Sequence, residues 1–356
     1  MARLYQDNGF LDFDVLEEKA ACLNLVIGPR NSGKTYSALL HQRGRTPFVF
    51  LRTAKTQIDL VFSEEMSPFN KINRDRGSRF FCAPISKSGL IGIYDDFVED
   101  DKGRLVPDGD LVGYCLALSQ IGATRGFNLD NVETLIYDEF VLHPGESTRF
   151  AKRQFTMYAD LVFTLNRARE LEGRPAIRQW LLGNSDDLTN DILQGLQVVD
   201  TIIGMRRSGQ NYVRLPDRDI AIFLLDDSPV AKRLNDTGAL SRIFKGSDYL
   251  DMAYGNRFIY DDDSDCQRLD LHGYAPDFVW DGLVFYRHKR QSRYYVRRAA
   301  EGAAFSGIRT YSGSSRDTIN AREDHAHLYY YYLDCLITFE SYSVKARFFE
   351  LYDIDK

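Results

Sequence analysis

The chain has no apolar run approaching the ~20 residues that a membrane span needs, so no membrane partner is expected of it. Its five cysteines (Cys22, Cys82, Cys115, Cys266, Cys335) are scattered, odd in number and never spaced C-x-x-C. That argues against a disulfide framework or a thiolate zinc site and fits a reducing cytoplasm. The six histidines also lack metal-ligand spacing; His325 and His327 read as an ordinary surface pair. Residues 1–16 are polar and acidic, so no secretory signal is expected there. Internal repeats and low-complexity tracts are missing as well. So is any general excess of basic charge: the net charge of −6 excludes a protein that binds nucleic acid over its whole surface. What remains, at 44% hydrophobic and 27% charged over 356 residues, is an ordinary globular composition, long enough that two domains are the natural prior.

One segment is far from ordinary. Gly28-Pro29-Arg30-Asn31-Ser32-Gly33-Lys34-Thr35 matches G-x-x-x-x-G-K-[ST], the phosphate-cradling loop of nucleotide-binding proteins. Its flanks suit the motif. Leu23-Asn24-Leu25-Val26-Ile27 reads as a buried strand, and Tyr36-Ser37-Ala38-Leu39-Leu40 as the first turns of a helix. Such a loop points successive backbone N–H groups at one anion, and the helix N-terminus adds partial positive charge. Lys34 would reach the β- and γ-phosphates, and the Thr35 hydroxyl would sit on Mg²⁺.

A phosphate loop alone binds nucleotide without hydrolysing it. Thr134-Leu135-Ile136-Tyr137-Asp138-Glu139 is an apolar strand ending in two acids. Asp138 is placed to hold water on Mg²⁺, and Glu139 to polarise an attacking water as general base. Small-molecule kinases on this fold usually lack the second acid, because water attack must there be suppressed. Trp180-Leu181-Leu182-Gly183-Asn184 is another apolar strand, whose terminal amide either senses the γ-phosphate or caps a turn. Arg125, Arg167 and Arg169 are candidates for the arginine that, in oligomeric motors, a neighbouring subunit inserts to offset transition-state charge.

Strand-like runs at residues 23–27, 47–51, 113–118, 134–137 and 179–182 alternate with helical patterns at 34–41 and 155–169. That predicts an α/β fold with a mostly parallel sheet. Between residues 91 and 118 the pattern changes. Asp108-Gly109 reads as the turn of an antiparallel edge hairpin joining residues 103–106 to a strand from Leu111. Residues 228–260 read as a small helical linker with glycine breaks. The tail is aromatic and β-rich, with a closing helix over 341–351. The expected division is a P-loop ATPase domain over 1–205, a connecting segment and helical linker over 206–262, and an α+β domain over 263–356.

Charge is unevenly spread in that tail. Arg287, Lys289, Arg290, Arg293, Arg297 and Arg298 fall within fifteen residues without an acid, interleaved with Phe285, Tyr286, Tyr294 and Tyr295. This suits contact with a nucleic-acid backbone; an amphipathic strand pair with a solvated basic face is the plain alternative. The upstream Asp261, Asp262, Asp263 and Asp265 lack the apolar alternation of a nuclease centre and read as a solvated linker.

Taken together these residues resemble a known family. Gly28 to Tyr36 with Phe48-Val49-Phe50-Leu51-Arg52, the block from Asn131 to Phe140, and the linker residues Arg242-Ile243, Gly246-Ser247-Asp248-Tyr249 and Asn256-Arg257-Phe258-Ile259 are similar to the DNA-packaging ATPases of small short-tailed phages with protein-primed linear genomes. The likeness thins in the last hundred residues, where Phe339-Glu340, Val344-Lys345-Ala346-Arg347 and Glu350-Leu351 carry it. It implies an ATPase of the additional-strand, catalytic-glutamate (ASCE) type, using ATP and Mg²⁺. It also implies a homo-oligomeric ring, a pentamer in the family, that drives double-stranded DNA into an empty procapsid at the portal vertex in the host cytoplasm. The family's C-terminal domain resembles an RNase-H-like nuclease that has lost cleavage and helps bind the procapsid, in some members through a structural packaging RNA. By position, Arg125 matches a basic residue acting on the neighbouring site, Arg167 lies nearest the arginine finger with Arg169 as its rival, and Lys55 lies where the family places a basic residue near the pore. The competing readings are a stand-alone P-loop kinase or nucleotide switch, and a terminase with an active C-terminal nuclease.

Overall fold

The computed structural model describes residues 4–62, 66–85, 90–124, 129–141, 153–167, 169–184, 187–188, 190–226, 228–247, 250 and 263–354. They divide into two compact units, one of Met1–Gly195 with Gly204–Ile259, the other of Leu196–Ile203 with Tyr260–Lys356.

The first unit is built on strands β1 (Leu23–Ile27), β2 (Phe48–Arg52), β3 (Phe81–Pro84), β4 (Ile91–Tyr94), β5 (Phe97–Glu99), β6 (Leu105–Pro107), β7 (Leu111–Ala117), β8 (Thr134–Asp138), β9 (Arg178–Gly183), β10 (Tyr212–Leu215) and β11 (Ile220–Leu224). Nine of them form one sheet in the order β10-β11-β1-β9-β8-β2-β7-β4-β3. The six strands from β11 to β7 are mutually parallel. Every residue of β1, β8 and β11 is buried, as expected of parallel strands covered on both faces, and that is why they read as unbroken apolar runs. One face packs Val26, Phe50, Ile136, Trp180 and Phe223 against Phe13, Leu39, Phe69 and Ile72 from the helices Phe13–Glu18, Lys34–His41 and Pro68–Arg76. On the other face, Tyr137 stacks on Tyr158 of the helix Gln154–Leu165, ring centroids 5.9 Å apart. The sheet continues through β11 to Leu224, beyond the boundary expected at 205, because β11 pairs along the whole of β1.

The edge hairpin differs from its expectation. Its two short strands are β5 and β6, and the turn is Asp100–Arg104, where the Asp100 carboxylate accepts from Lys102 N and Arg104 N, and Gly103 has φ 71°. Asp108-Gly109 makes no strand-to-strand turn. A Cβ on Gly109 would lie 2.5 Å from the Asp96 nitrogen, so glycine is needed there for close chain approach. An Asp-Gly pair states only that the chain must be slim or turn; it does not say which.

The second unit is a five-stranded sheet of β12 (Tyr274–Trp280), β13 (Leu283–His288), β14 (Tyr294–Arg298), β15 (Arg309–Tyr311) and β16 (Ile337–Phe339), ordered β15-β12-β13-β14-β16. β12, β13 and β14 form an antiparallel meander, and β15 and β16 add in parallel at its two edges. Phe278, Phe285, Tyr294, Val296 and Phe339 pack with Val344 and Phe348 of the helix Tyr342–Tyr352. Residues 196–203 join this unit: the Ser343 hydroxyl donates to Asp200 Oδ2 at 2.7 Å.

Within this unit Asp265 is no solvated linker residue. Its carboxylate lies 2.8 Å from the Lys345 ammonium, whose side chain is only 3% exposed. Asp261 and Asp262 lie outside the described residues. Removing one partner of a buried pair costs about 3–5 kcal/mol; with Asp265 a quarter exposed, about 2 kcal/mol is expected here. Asp265→Ala is therefore expected to destabilise the second unit by that amount, and adding Lys345→Met to recover most of it. Urea unfolding followed by Trp280 fluorescence in a Trp180→Phe background measures both.

Candidate active site

The strand order explains how distant sequence segments meet. β9 separates the loop strand β1 from the acidic strand β8, and β2 flanks β8 on its other side. Ile27 is level with Gly183, Asp138 with Leu182, and Leu51 with Tyr137. The residues just past these positions, Gly28, Asn184, Glu139 and Arg52, therefore emerge together at the carboxyl ends of the strands, where open α/β sheets bind ligands.

The loop has the backbone of an anion nest. Asn31 and Gly33 are left-handed, at φ 61° and 85°, and Gly33 leads directly into the helix Lys34–His41. A Cβ at Gly33 would meet the Phe10 ring at 2.8 Å, so both backbone and packing require glycine. The Lys34 ammonium is held at the mouth of the loop by the Gly28 and Pro29 carbonyls at 2.8 Å and by Asn184 Oδ1 at 3.2 Å. Asn184 thus touches the motif lysine itself. The Thr35 hydroxyl donates to Asp138, 2.8 Å from Oδ1.

Asp138 is 2% exposed. Burial pushes its carboxyl above the ordinary value, opposed chiefly by the Arg52 guanidinium. Arg52 Nη2 sits 2.7 Å from Asp138 Oδ2, while its Nη1 donates to Glu139. Glu139 has φ 54°, and this left-handed turn carries its half-exposed side chain out of the strand end. Arg52 was not legible as a site residue. It reads as the polar end of an apolar strand, and only the β2–β8 adjacency gives it two carboxylates.

A hard oxygen pair, the Thr35 hydroxyl and the Asp138 carboxylate, side by side under a phosphate loop fits Mg²⁺ bound with the nucleotide. Beside the loop helix is a cavity of about 470 Å³ lined in part by Gln6, Asn8, Phe10, Tyr36 and Lys71. Lys71 Nζ stands 5.4 and 5.2 Å from the centroids of the Phe10 and Tyr36 rings.

The structure separates the two candidate arginines. Arg169 is buried, with Nη1 2.7 Å from the Val132 carbonyl and Nε 3.1 Å from that of Pro175. It ties together the segments leading into β8 and β9, at the end of the sheet away from Asp138, with Nε and Nη1 both engaged by backbone carbonyls. Arg167 is exposed, just beyond the helix Gln154–Leu165. That helix starts beside Tyr137 and Phe140 and runs back along β8. At 1.5 Å per residue, its twelve residues carry Arg167 on the order of 18 Å from the carboxylates of its own chain. Arg125 lies outside the described residues.

Of the nucleic-acid candidates, Lys55 is exposed and paired with Asp59 at 2.7 Å. Arg287, Lys289, Arg290 and Arg293 are exposed around the β13–β14 turn, and Arg298 is exposed at the other end of β14. Arg297 is half-buried, 3.7 Å from Glu340. Three of the four aromatic residues between them are buried. Phe285, Tyr294 and Tyr295 are at most 2% exposed, each within a run of three buried residues on its strand, while Tyr286 is partly exposed. The three buried rings cannot stack on bases; the exposed basic side chains of this turn are free to meet phosphates.

The strand order is that of an α/β ATPase fold, with a phosphate-loop motif beside an acidic pair at the carboxyl ends of its strands. No protein-family model matches the chain. Over 245 residues it is 22% identical to the DNA packaging proteins of Bacillus phages phi29 and PZA, the match covering 67% of this chain and 63% of each relative, just under two thirds of their length. Among solved structures, the Phi-28 gp11 DNA packaging motor matches 98% of this chain and all of its own, with TM-score 0.62 and 17% identity. The bacteriophage Phi-29 viral genome packaging motor assembly matches 97% of this chain and 98% of its own, with TM-score 0.62 and 16% identity. The fold is thus shared with packaging motors along almost the whole chain.

The two arginines should part in a stability measurement. Arg169→Ala is expected to cost about 2–3 kcal/mol, from buried carbonyls left without donors. Arg167→Ala is expected to stay within about 0.5 kcal/mol of the parent. Denaturant unfolding followed by Trp180 fluorescence in a Trp280→Phe background checks both.

Proposed function

We propose that this chain is the ATPase subunit of a phage genome-packaging motor. It would hydrolyse ATP with Mg²⁺ and move double-stranded DNA into a procapsid at the portal vertex, working as a homo-oligomeric ring, with five copies as the expected number, in the host cytoplasm. The observation that carries this reading is the carboxylate pair of Asp138 and Glu139 beside Lys34 and Thr35, on a fold shared with packaging motors. Lys34 and the loop amides would hold the phosphates, and Asn184 would follow the γ-phosphate through Lys34. Thr35 and Asp138 would hold the metal, which supplies charge neutralisation between the phosphates. Glu139 would orient and deprotonate the attacking water. The cavity lined by Phe10 and Tyr36 is the natural place for the base.

Arg52 pairs with Glu139, so the glutamate must leave that partner to act as a base. Arg167 lies too far from its own site to help there, which supports its use by a neighbouring copy. Residues 287–298 would contact DNA or a packaging RNA through phosphates, without sequence reading, as a translocating motor requires. The RNase-H-like reading of the second unit rests on its antiparallel meander with a parallel strand beside β12. A nuclease role is less favoured, because the Asp265 carboxylate is engaged by Lys345. The kinase reading is less favoured because Glu139 stands next to the metal-binding acid.

The purified chain is expected to hydrolyse ATP faster when double-stranded DNA is added and to lose the activity in EDTA. Lys34→Ala and Glu139→Gln should each lower the rate by at least about a hundredfold, with Glu139→Gln still binding ATP. Phosphate release alongside the native mass measures this. A strictly monomeric ATPase indifferent to DNA would refute the motor reading.

A further inference from the structure

One group of buried polar side chains that the nucleotide chemistry does not use lies beside the acidic strand end. Gln154, Thr53 and Asn190 are all buried there, with the Tyr137 hydroxyl between them. Gln154 Nε2 lies 2.7 Å from the Tyr137 hydroxyl and 2.6 Å from the Phe140 carbonyl. Asn190 Nδ2 donates to the same carbonyl at 3.2 Å and to Gln154 Oε1 at 3.1 Å. The Tyr137 hydroxyl is 2.8 Å from Thr53 Oγ1, and Thr53 follows Arg52. The Tyr137 phenol is both a donor and an acceptor. It can therefore accept from Gln154 and donate to Thr53. Both N–H donors of the Gln154 carboxamide and its oxygen are then used.

One carboxamide thus grips the chain on both sides of the Asp138–Glu139 pair, at Tyr137 and at Phe140. Between those grips Glu139 is held at φ 54°. A non-glycine residue there costs on the order of 1–2 kcal/mol and persists only where its surroundings over-determine it. The one other tether on Phe140 among the described backbone bonds is its own N–H to Leu182 O, a longer contact at 3.3 Å.

We propose that Gln154 is a positioning residue for hydrolysis: its carboxamide fixes the backbone turn that aims Glu139 out of the strand end. The proposal rests on the ATPase reading above. Gln154 touches no phosphate-loop residue and acts only through the backbone. Without its donors, the Phe140 carbonyl keeps Asn190 alone and Glu139 relaxes away from its working direction. Nucleotide binding, carried by Lys34 and the loop amides, is untouched.

The test compares Gln154→Met, close in size but without donors, with Asn24→Leu. Asn24 is also fully buried and makes three hydrogen bonds, to Ala21 N, Ala21 O and Gln179 O, at the opposite end of the sheet. Asn190→Leu, which removes the second donor to Phe140 together with the bond to Gln154 Oε1 and the acceptor of Ile192 N, serves where Gln154→Met does not fold. Each full-length chain is assayed for kcat and KM with ATP, for affinity with a fluorescent ATP analogue, and for Tm. Gln154→Met should lose between about ten- and a hundredfold in kcat, with KM and analogue affinity within about twofold of the parent. Asn190→Leu should lose kcat in the same direction by less. Asn24→Leu should lower Tm comparably and leave kcat within about twofold. A Gln154→Met chain with parental kcat, or one whose loss is matched by Asn24→Leu, would overturn the proposal. A parent chain without ATPase activity would overturn the reading beneath it, and is seen before any variant is compared.

Discussion

Two carboxylates at the end of one buried strand set the terms for everything around them. Asp138 is almost fully buried, and an ionised acid there is costly unless it is paired and hydrogen-bonded. The Thr35 hydroxyl and the Arg52 guanidinium meet that need, with Lys34 close by. The sheet order follows from the same requirement. β2 must lie beside β8 to deliver Arg52, and β9 must lie between β8 and β1 to bring Asn184 to the phosphate lysine.

The pair also makes the site self-restraining. While Arg52 holds both acids, Glu139 has a partner, and general-base chemistry requires the carboxylate to be free and turned to water. On the proposed reading, a metal and phosphates at Asp138 and Lys34 would change the balance of charge around Arg52, and with it the hold on Glu139. The helix Gln154–Leu165 extends that link. Its first residue grips the backbone on both sides of the acids, and Arg167 stands just beyond its last. One helix therefore joins a chain's own acidic pair to the arginine proposed to act on another chain.

Much of this was legible before any coordinates. The loop Gly28–Thr35 and the acids Asp138 and Glu139 sit in short, strongly apolar strands, whose type is dictated locally by burial on both faces. What could not be read is what depends on strand order. Arg52, Gln154 and Asn190 look unremarkable in the sequence, and matter only because β2, β8 and the helix Gln154–Leu165 are neighbours. Arg167 and Arg169, two residues apart, are alike in sequence and opposite in setting; burial on the Val132 and Pro175 carbonyls separates them. Of the tyrosines in 284–298, Tyr294 and Tyr295 are buried and only Tyr286 is partly exposed, which the sequence pattern does not show. The Asp108-Gly109 pair misled because a glycine needed for close chain approach and one needed for a turn look the same in sequence.

The central claim is that hydrolysis needs two copies of this chain, one supplying Glu139 and the other Arg167. The most direct measurement is the ATPase rate of an equimolar mixture of Glu139→Gln and Arg167→Ala chains, compared with each alone. Each parent is inactive for a different reason. In the mixture, an Arg167→Ala site facing a Glu139→Gln neighbour has both groups, so the account predicts a rate well above the sum of the two parents. A mixture no more active than its parents, in assemblies shown by native mass to contain both chains, would contradict it.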